Sequence, residues 1–457
     1  MMYSLLSRVF PPLRSAAFAL AGSALLLAGC VENSANQPPV TKQETQASAP
    51  APQKVEVVPA PTPSPAPAEK VTLTPPEGAE IRVGVLLPMS GQYAALGKSL
   101  LNAVQLGLFE VAEENLVLLP RDTMGTAAGA RQAARSAIDS GAQFLIGPVF
   151  SEAASAVADL KAGQGVVSLA FTNNRAAAGA EAYIVGLVPR QRIERVVSYA
   201  ASRGLKRFAG LLPAGAYGDL IRAAYQDAVL RVGGELTRME RYVPGEQDGV
   251  AQSVKRLGDY DERKKALEDQ KAELAGKEDP LSLRALKRLE ELETLGDVDF
   301  DAVLLIENGQ ALTALAPLLP YYEIDTRTVR ILGISDWGER SLLREPALQG
   351  AWYAAPSLRA RADFEDRYRA LYGKSPHPLA PLAYDAGAIA AVLGAQKPPA
   401  FSSAALTDPR GFAGSIGLFR FRKDGLVEHN FAVIEVQPGG AVEVSPAPEK
   451  FPAPVVN

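Results

Sequence analysis

From Ile81 onward the chain alternates short apolar, β-rich runs with amphipathic stretches, and this limits its possible folds more than any other feature. Ile81–Leu87 reads as a buried strand; Leu101, Val104, Leu108 and Val111 follow at helical spacing on one apolar face. Further strands are expected at Leu116–Leu119, Phe144–Ile146, Val166–Ala170, Phe208–Leu212, Ala302–Ile306 and Val329–Leu332. Helices are expected between them, at Ala127–Ser140, Ser151–Ala162, Gln191–Ser202, Gly218–Val232 and Gln310–Leu319. Such alternation implies an α/β architecture of parallel sheets with right-handed crossovers. Ligands in these folds sit at the carboxyl ends of the strands. Near the end, Ile416–Arg422 and Asn430–Val436 flank the turn Lys423-Asp424-Gly425 and predict an antiparallel hairpin.

The first 80 residues follow different rules. Arg8 and Arg14 precede an uncharged apolar run from Ser15 to Ala28, the pattern of an export signal over 1–29. The run is shorter than a comfortable membrane span. Leu27-Ala28-Gly29-Cys30 then resembles the lipobox of bacterial lipoproteins, which implies cleavage before Cys30, a lipid on that residue and, with Val31 after it, the outer membrane. Cys30 is the sole cysteine, so no disulfide can form within the chain. Eleven prolines between Val31 and Gly78 make residues 30–79 a Pro-rich linker expected to be disordered. At roughly 3.1 Å per residue it reaches on the order of 100 Å or more.

Roughly 380 residues remain for folding, too many for one ordinary domain. The net charge is only −4 and no basic patch is evident, which argues against nucleic acid as a partner. His377 and His429 lack companions at ligand spacing; both read as surface histidines, with no metal and no cofactor expected. Gly91 to Ser99 has five residues between its glycines, where a P-loop needs four. No nucleophile motif appears, so an enzyme is not expected.

The ordered turns are similar to those of type I periplasmic binding proteins of the leucine-binding kind. They are Val83–Gly91, Ile146–Ser151, Ser168–Asn173, Ala216-Tyr217-Gly218, Tyr384-Asp385-Ala386 and Gly414–Gly417. The resemblance covers nearly all of 81–440. It implies two Rossmann-like lobes with parallel sheets and a central cleft, joined by crossings near 190, 355 and 415. Lobe 1 would then hold 80–190 and 356–415, and lobe 2 would hold 191–355 and 416–445, with a tail over 446–457. The same resemblance gives ligand-binding roles to Ser90, Ser151, Thr172 and Tyr217, and points to the loop holding Asp336 for a ligand's ammonium. Phe171 stands where the family has a small residue. From the residues alone, Ser151 also reads as a helix cap.

Between about 259 and 296 the chain is dense in charge, with Leu267, Leu274, Leu286, Leu289 and Leu292 as its apolar members, which predicts a charged helical hairpin inserted in the second lobe. With the lipobox, this insertion resembles the lipoproteins that activate penicillin-binding proteins, the longest of which carry helical repeats where this chain has its linker. That resemblance implies a non-enzymatic regulator whose partner is a peptidoglycan synthase. The alternative is the substrate-binding protein of an ABC transporter for branched-chain amino acids.

Overall fold

A computed structural model describes residues 81–451 except 112–115, 335–336 and 339. Cys30 and Asp336 therefore lie outside the described residues, as do the export signal and the linker.

The first sheet is formed by β1 (Ile81–Leu87), β2 (Leu116–Asp122), β3 (Phe144–Ile146), β4 (Val167–Ala170) and β5 (Ala182–Ile184). Its order is β2-β1-β3-β4-β5, every pairing is parallel, and β1 is buried on both faces. Helices α1 (Ala94–Phe109), α2 (Ala127–Asp139) and α3 (Ser151–Lys161) make the crossovers. Val83, Val85 and Leu87 face one core; Leu86 and Leu145 face another, with α2 and α3.

After α4 (Pro189–Ser202) a second sheet begins with β6 (Arg207–Pro213), α5 (Ala216–Arg231) and β7 (Glu235–Tyr242). Next come α6 (Gln247–Leu257), α7 (Tyr260–Leu274), α8 (Pro280–Leu289), β8 (Ala302–Leu305), α9 (Gly309–Leu315) and α10 (Leu318–Tyr321). β9 (Arg330–Gly333), the short α11 (Arg340–Leu343) and β10 (Trp352–Ala355) complete the parallel part. The chain then returns to the first lobe through α12 (Leu358–Tyr372) and α13 (Ala380–Gly394), followed by α14 (Ser403–Leu406).

The C-terminal strands depart from expectation. β11 (Phe412–Gly414), β12 (Gly417–Phe421) and β13 (Val427–His429) form a separate antiparallel sheet, while β14 (Ala432–Gln437) and β15 (Gly440–Ser445) join the second. The turn at 423–425 exists, with Arg422 N–H donating to Leu426 O at 2.8 Å. The strand returning from it is only three residues long, and Phe419 pairs with His429 before the chain leaves for β10. The hairpin between Ile416–Arg422 and Asn430–Val436 is thus not formed. Phe419, Phe421 and Val427 belong to the first lobe's core, and the third crossing lies near 430 rather than 415.

Helix α1 also turns a different face inward. Val104 and Leu108 are buried, but Val111 is exposed and Leu101 is only partly covered. The packed face is instead Leu100, Ala103, Val104 and Gly107, set against α13. A Cβ on Gly107 would stand 2.1 Å from Tyr384 O, and one on Gly387 would stand 2.3 Å from Val104 O. Glycine on both sides lets the two backbones approach; a larger residue would force them apart.

The charged stretch forms α7 and α8. Asp279 caps α8, its carboxylate accepting the N–H groups of Leu281 and Ser282 at 3.1 and 3.0 Å. Leu267 and Leu289 are buried, Leu274 and Leu286 are half-buried, and Leu292 is exposed.

Candidate functional site

Strands β3 and β4 each deliver a hydroxyl at their carboxyl ends. Ser151 stands at the start of α3 and Thr172 just beyond β4, with Ser151 Oγ 2.9 Å from Thr172 Oγ1. The residue capping α3 is Phe150, and no side chain caps that helix end, so Ser151 is committed to Thr172 rather than to capping. Thr172 Oγ1 also accepts the Asn174 N–H at 3.0 Å. Two hydroxyls that share one hydrogen bond retain one O–H, so the pair offers one donor.

The pair borders a cavity of about 540 Å³ between the lobes. Its walls are largely apolar, with Leu96, Val149, Phe171, Leu382 and Ile416 from the first lobe and Ile434 from β14. Phe171 is buried in the first lobe's core, so its ring forms wall and leaves the space open. A volume of this size, apolar with a few converging polar groups, suits a small organic ligand.

The charged groups at the cavity are Arg192, Arg361 and Glu365, with His377 beside them. Arg361 Nε donates to Glu365 at 2.8 Å, and Arg369 approaches the same carboxylate at 3.9 Å. Arg192, on the first turn of α4, is different. Its Nη1 donates to Ile334 O at 2.6 Å and its guanidinium lies 5.3 Å from the Phe431 ring centre. Nε is shut off from solvent without a hydrogen-bond partner, and no acid among the described residues pairs with Arg192. Burial pulls this guanidinium down to about 10, still protonated at neutral pH.

Two other sites expected from the sequence stand elsewhere. Ser90 is exposed and does not line the cavity. It serves Asp122 instead: burial works to raise that carboxyl, but hydrogen bonds from Ser90 and from the amides of Met124 and Met89 hold it below the usual range. Tyr217 opens α5 half-exposed and is also absent from the cavity wall. Its hydroxyl is raised by burial, with Arg192 and Glu307 close enough to act on it in opposite senses. The ring therefore stands beside Arg192, not over the space. On the loop holding Asp336, Trp337 turns into the second lobe's core, its indole N–H donating to Glu307 O at 3.0 Å.

Both histidines differ from the surface reading. His377 lines the cavity, where its Nδ1 accepts the Leu379 N–H at 3.1 Å. His429 is buried at the third crossing, its ring centre 5.4 Å from that of Phe419 and 5.8 Å from that of Phe431. Arg192 was missed because nothing in α4, which carries arginines at 190, 192 and 195, shows which one turns toward the crossing. Among the described residues no cluster of acidic, histidine or cysteine side chains is placed to hold a metal.

Residues 80–258 match the family model described as periplasmic binding protein. Among curated proteins, an uncharacterized protein of Rickettsia prowazekii is 23% identical over 177 residues, covering 38% of this chain and 46% of its own. A Leu/Ile/Val-binding protein of Rhizobium johnstonii is 28% identical over 183 residues, covering 37% and 49%. The chain thus spans about half the length of the curated relatives it matches. Among solved structures, a putative branched-chain amino acid ABC transporter from Rhodospirillum rubrum superposes with a TM-score of 0.62 at 19% identity, over 80% of this chain and 99% of that one. A branched chain amino acid ABC transporter periplasmic ligand-binding protein from Burkholderia xenovorans gives 0.58 at 20%, over 81% and 96%. The two-lobed fold is that of the type I periplasmic binding proteins.

Proposed function

We propose that this chain is a non-enzymatic solute-binding protein that holds a small ligand in the cavity between its lobes and hands it to an ABC transporter. The observation that carries the reading is the meeting of Ser151 and Thr172 at the edge of an apolar space that Phe171 leaves open. The likeness to branched-chain amino acid binding proteins supports it at the level of the domain. The test is calorimetric titration of the full chain with small amino acids and organic acids, beside Ser151→Ala and Thr172→Val. Binding weakened about tenfold or more by either change supports the reading, since one lost charge-assisted hydrogen bond is worth about 1.5–3 kcal/mol. An unchanged affinity in both variants overturns it.

We further propose export through residues 1–29 and lipid attachment at Cys30, which would hold the domain in the periplasm on a Pro-rich tether at the outer membrane. Cys30→Ala should then move the protein from the membrane fraction to the soluble one; retention in the membrane would sink this anchor.

A second reading, regulation of a peptidoglycan synthase such as a penicillin-binding protein, is favoured by one observation. Helices α7 and α8 carry dense charge and leave Leu281 and Leu283 exposed on α8.

A further inference from the structure

The cavity's walls and its one unmatched charge bear on what kind of molecule it accepts. Glu365 is the only acidic side chain among the described lining residues, and Arg361 and Arg369 already hold it. His377 adds no charge near neutral pH, because burial lowers its affinity for a proton. Among the described residues this leaves Arg192 as a cation without a paired acid. Its Nη1 is spent on Ile334 O and its Nε is shut off from solvent without a partner, so the end of the guanidinium left for a ligand is Nη2. A partly buried guanidinium without a counter-ion is costly, and an anion placed against its open end relieves the cost. Apart from these groups, Asn173 and the hydroxyl pair with its single spare donor, the wall is largely hydrocarbon.

We infer that Arg192 is the specificity-determining residue of the cleft and that its ligand is an apolar monocarboxylate, an alkyl or aryl acid without an amino group. The inference rests on the solute-binding reading above and narrows it. Arg192 takes the carboxylate from the second-lobe side; Leu96, Val149, Phe171 and Leu382 cover the hydrocarbon body. A ligand ammonium would enter beside an unpaired guanidinium and find no free carboxylate among the described residues. An amino acid is therefore a poorer ligand than the acid that lacks its amino group.

The experiment titrates the full chain with isovalerate and benzoate, with their amides isovaleramide and benzamide, and with leucine. Arg192→Gln and Arg192→Lys are run in parallel, with thermal melts to check folding. The acids should bind at least tenfold more tightly than their amides and than leucine. R192Q should bring acids down to the level of amides, and R192K should fall between. The acid–amide comparison within the wild type needs no variant, so it decides even if R192Q is poorly folded. Leucine binding as tightly as isovalerate, or acids and amides binding alike, overturns the inference and leaves the solute-binding reading standing. No binding of any probe overturns both.

Discussion

His429 shows how one residue in this protein carries a pH dependence. Burial pushes its imidazole down to about 3, helped by the nearby charge of Arg192 and opposed by a backbone hydrogen bond at Val185. An unfolded chain protonates the same ring near 6.5. Because the folded value is the lower one, His429 contributes its stability above pH 6.5 and loses it as pH falls toward 3. Each pH unit below 6.5 costs up to about 1.4 kcal/mol. Between pH 7 and 5 the wild type should therefore lose on the order of 2 kcal/mol more than His429→Phe, which keeps an aromatic ring between Phe419 and Phe431. Melting curves of the two proteins across this range isolate the difference, since every other group titrates in both. Parallel curves would show that the ring gains a proton in the folded state without penalty.

At the scale of elements, one side chain, Arg263, ties the ends of the α7–α8 pair together and to the lobe. Arg263 donates to Gly258 O and Glu323 O at 3.1 Å each, to Thr294 Oγ1 at 2.7 Å and twice to Gly296 O. Arg263→Ala should cost roughly 2–3 kcal/mol locally and expose the amides of 260–295 to faster hydrogen exchange, with the first lobe unchanged. Removing 260–295 altogether separates the two functional readings. Ligand affinity should survive the deletion, because no residue of α7 or α8 lines the cavity. Stimulation of a purified penicillin-binding protein by the full chain, lost on deletion, would support the regulatory reading; no stimulation by the full chain would remove it. This pair, like β1 to β4 of the first sheet, was legible in the sequence because leucine spacing, apolar runs and breakers speak directly to local structure; β5, only three residues long, was not. Nor was the α1–α13 contact, because α13 is alanine-rich and buried at nearly every position, so it shows no single apolar stripe, and glycines at 107 and 387 set the close approach. α12 was missed because only Phe364 and Tyr368 on it are buried. Ser151 and Thr172 were singled out by the resemblance to leucine-binding proteins, and the fold brings their hydroxyls together at the cavity edge. Ser90 has the same kind of address, yet Asp122 claims its hydroxyl, a competition between side chains distant in sequence. Arg192 becomes a candidate only once β9, β13 and β14 are in place around it.

For the described molecule as a whole, each lobe has its own core on both faces of its sheet, and the crossings are laced by side chains of α4. Gln191 donates to Val427 O at 2.5 Å and accepts the His429 N–H at 3.0 Å; Arg195 donates to Phe431 O at 2.7 Å and to Ser445 Oγ at 2.6 Å. These bonds tie the start of the second lobe to the third crossing. The cavity is lined from both lobes, so a ligand in it adds contacts that neither lobe makes alone. A ligand that binds only the folded protein, at a hundred times its dissociation constant, stabilises it by about 2.7 kcal/mol. If the lobes unfold as one unit, that gain should appear as a single transition moved up by a few degrees. Gln191→Ala removes two of these bonds, leaving those of Arg195, without touching the cavity wall, since Gln191 does not line it. In this variant the melt without ligand should broaden or split as the two cores separate, and saturating ligand should restore one transition. Scanning calorimetry of both proteins with and without ligand checks this. A variant that melts in one sharp step without ligand would mean that packing at the crossings couples the lobes, with the Gln191 bonds contributing little.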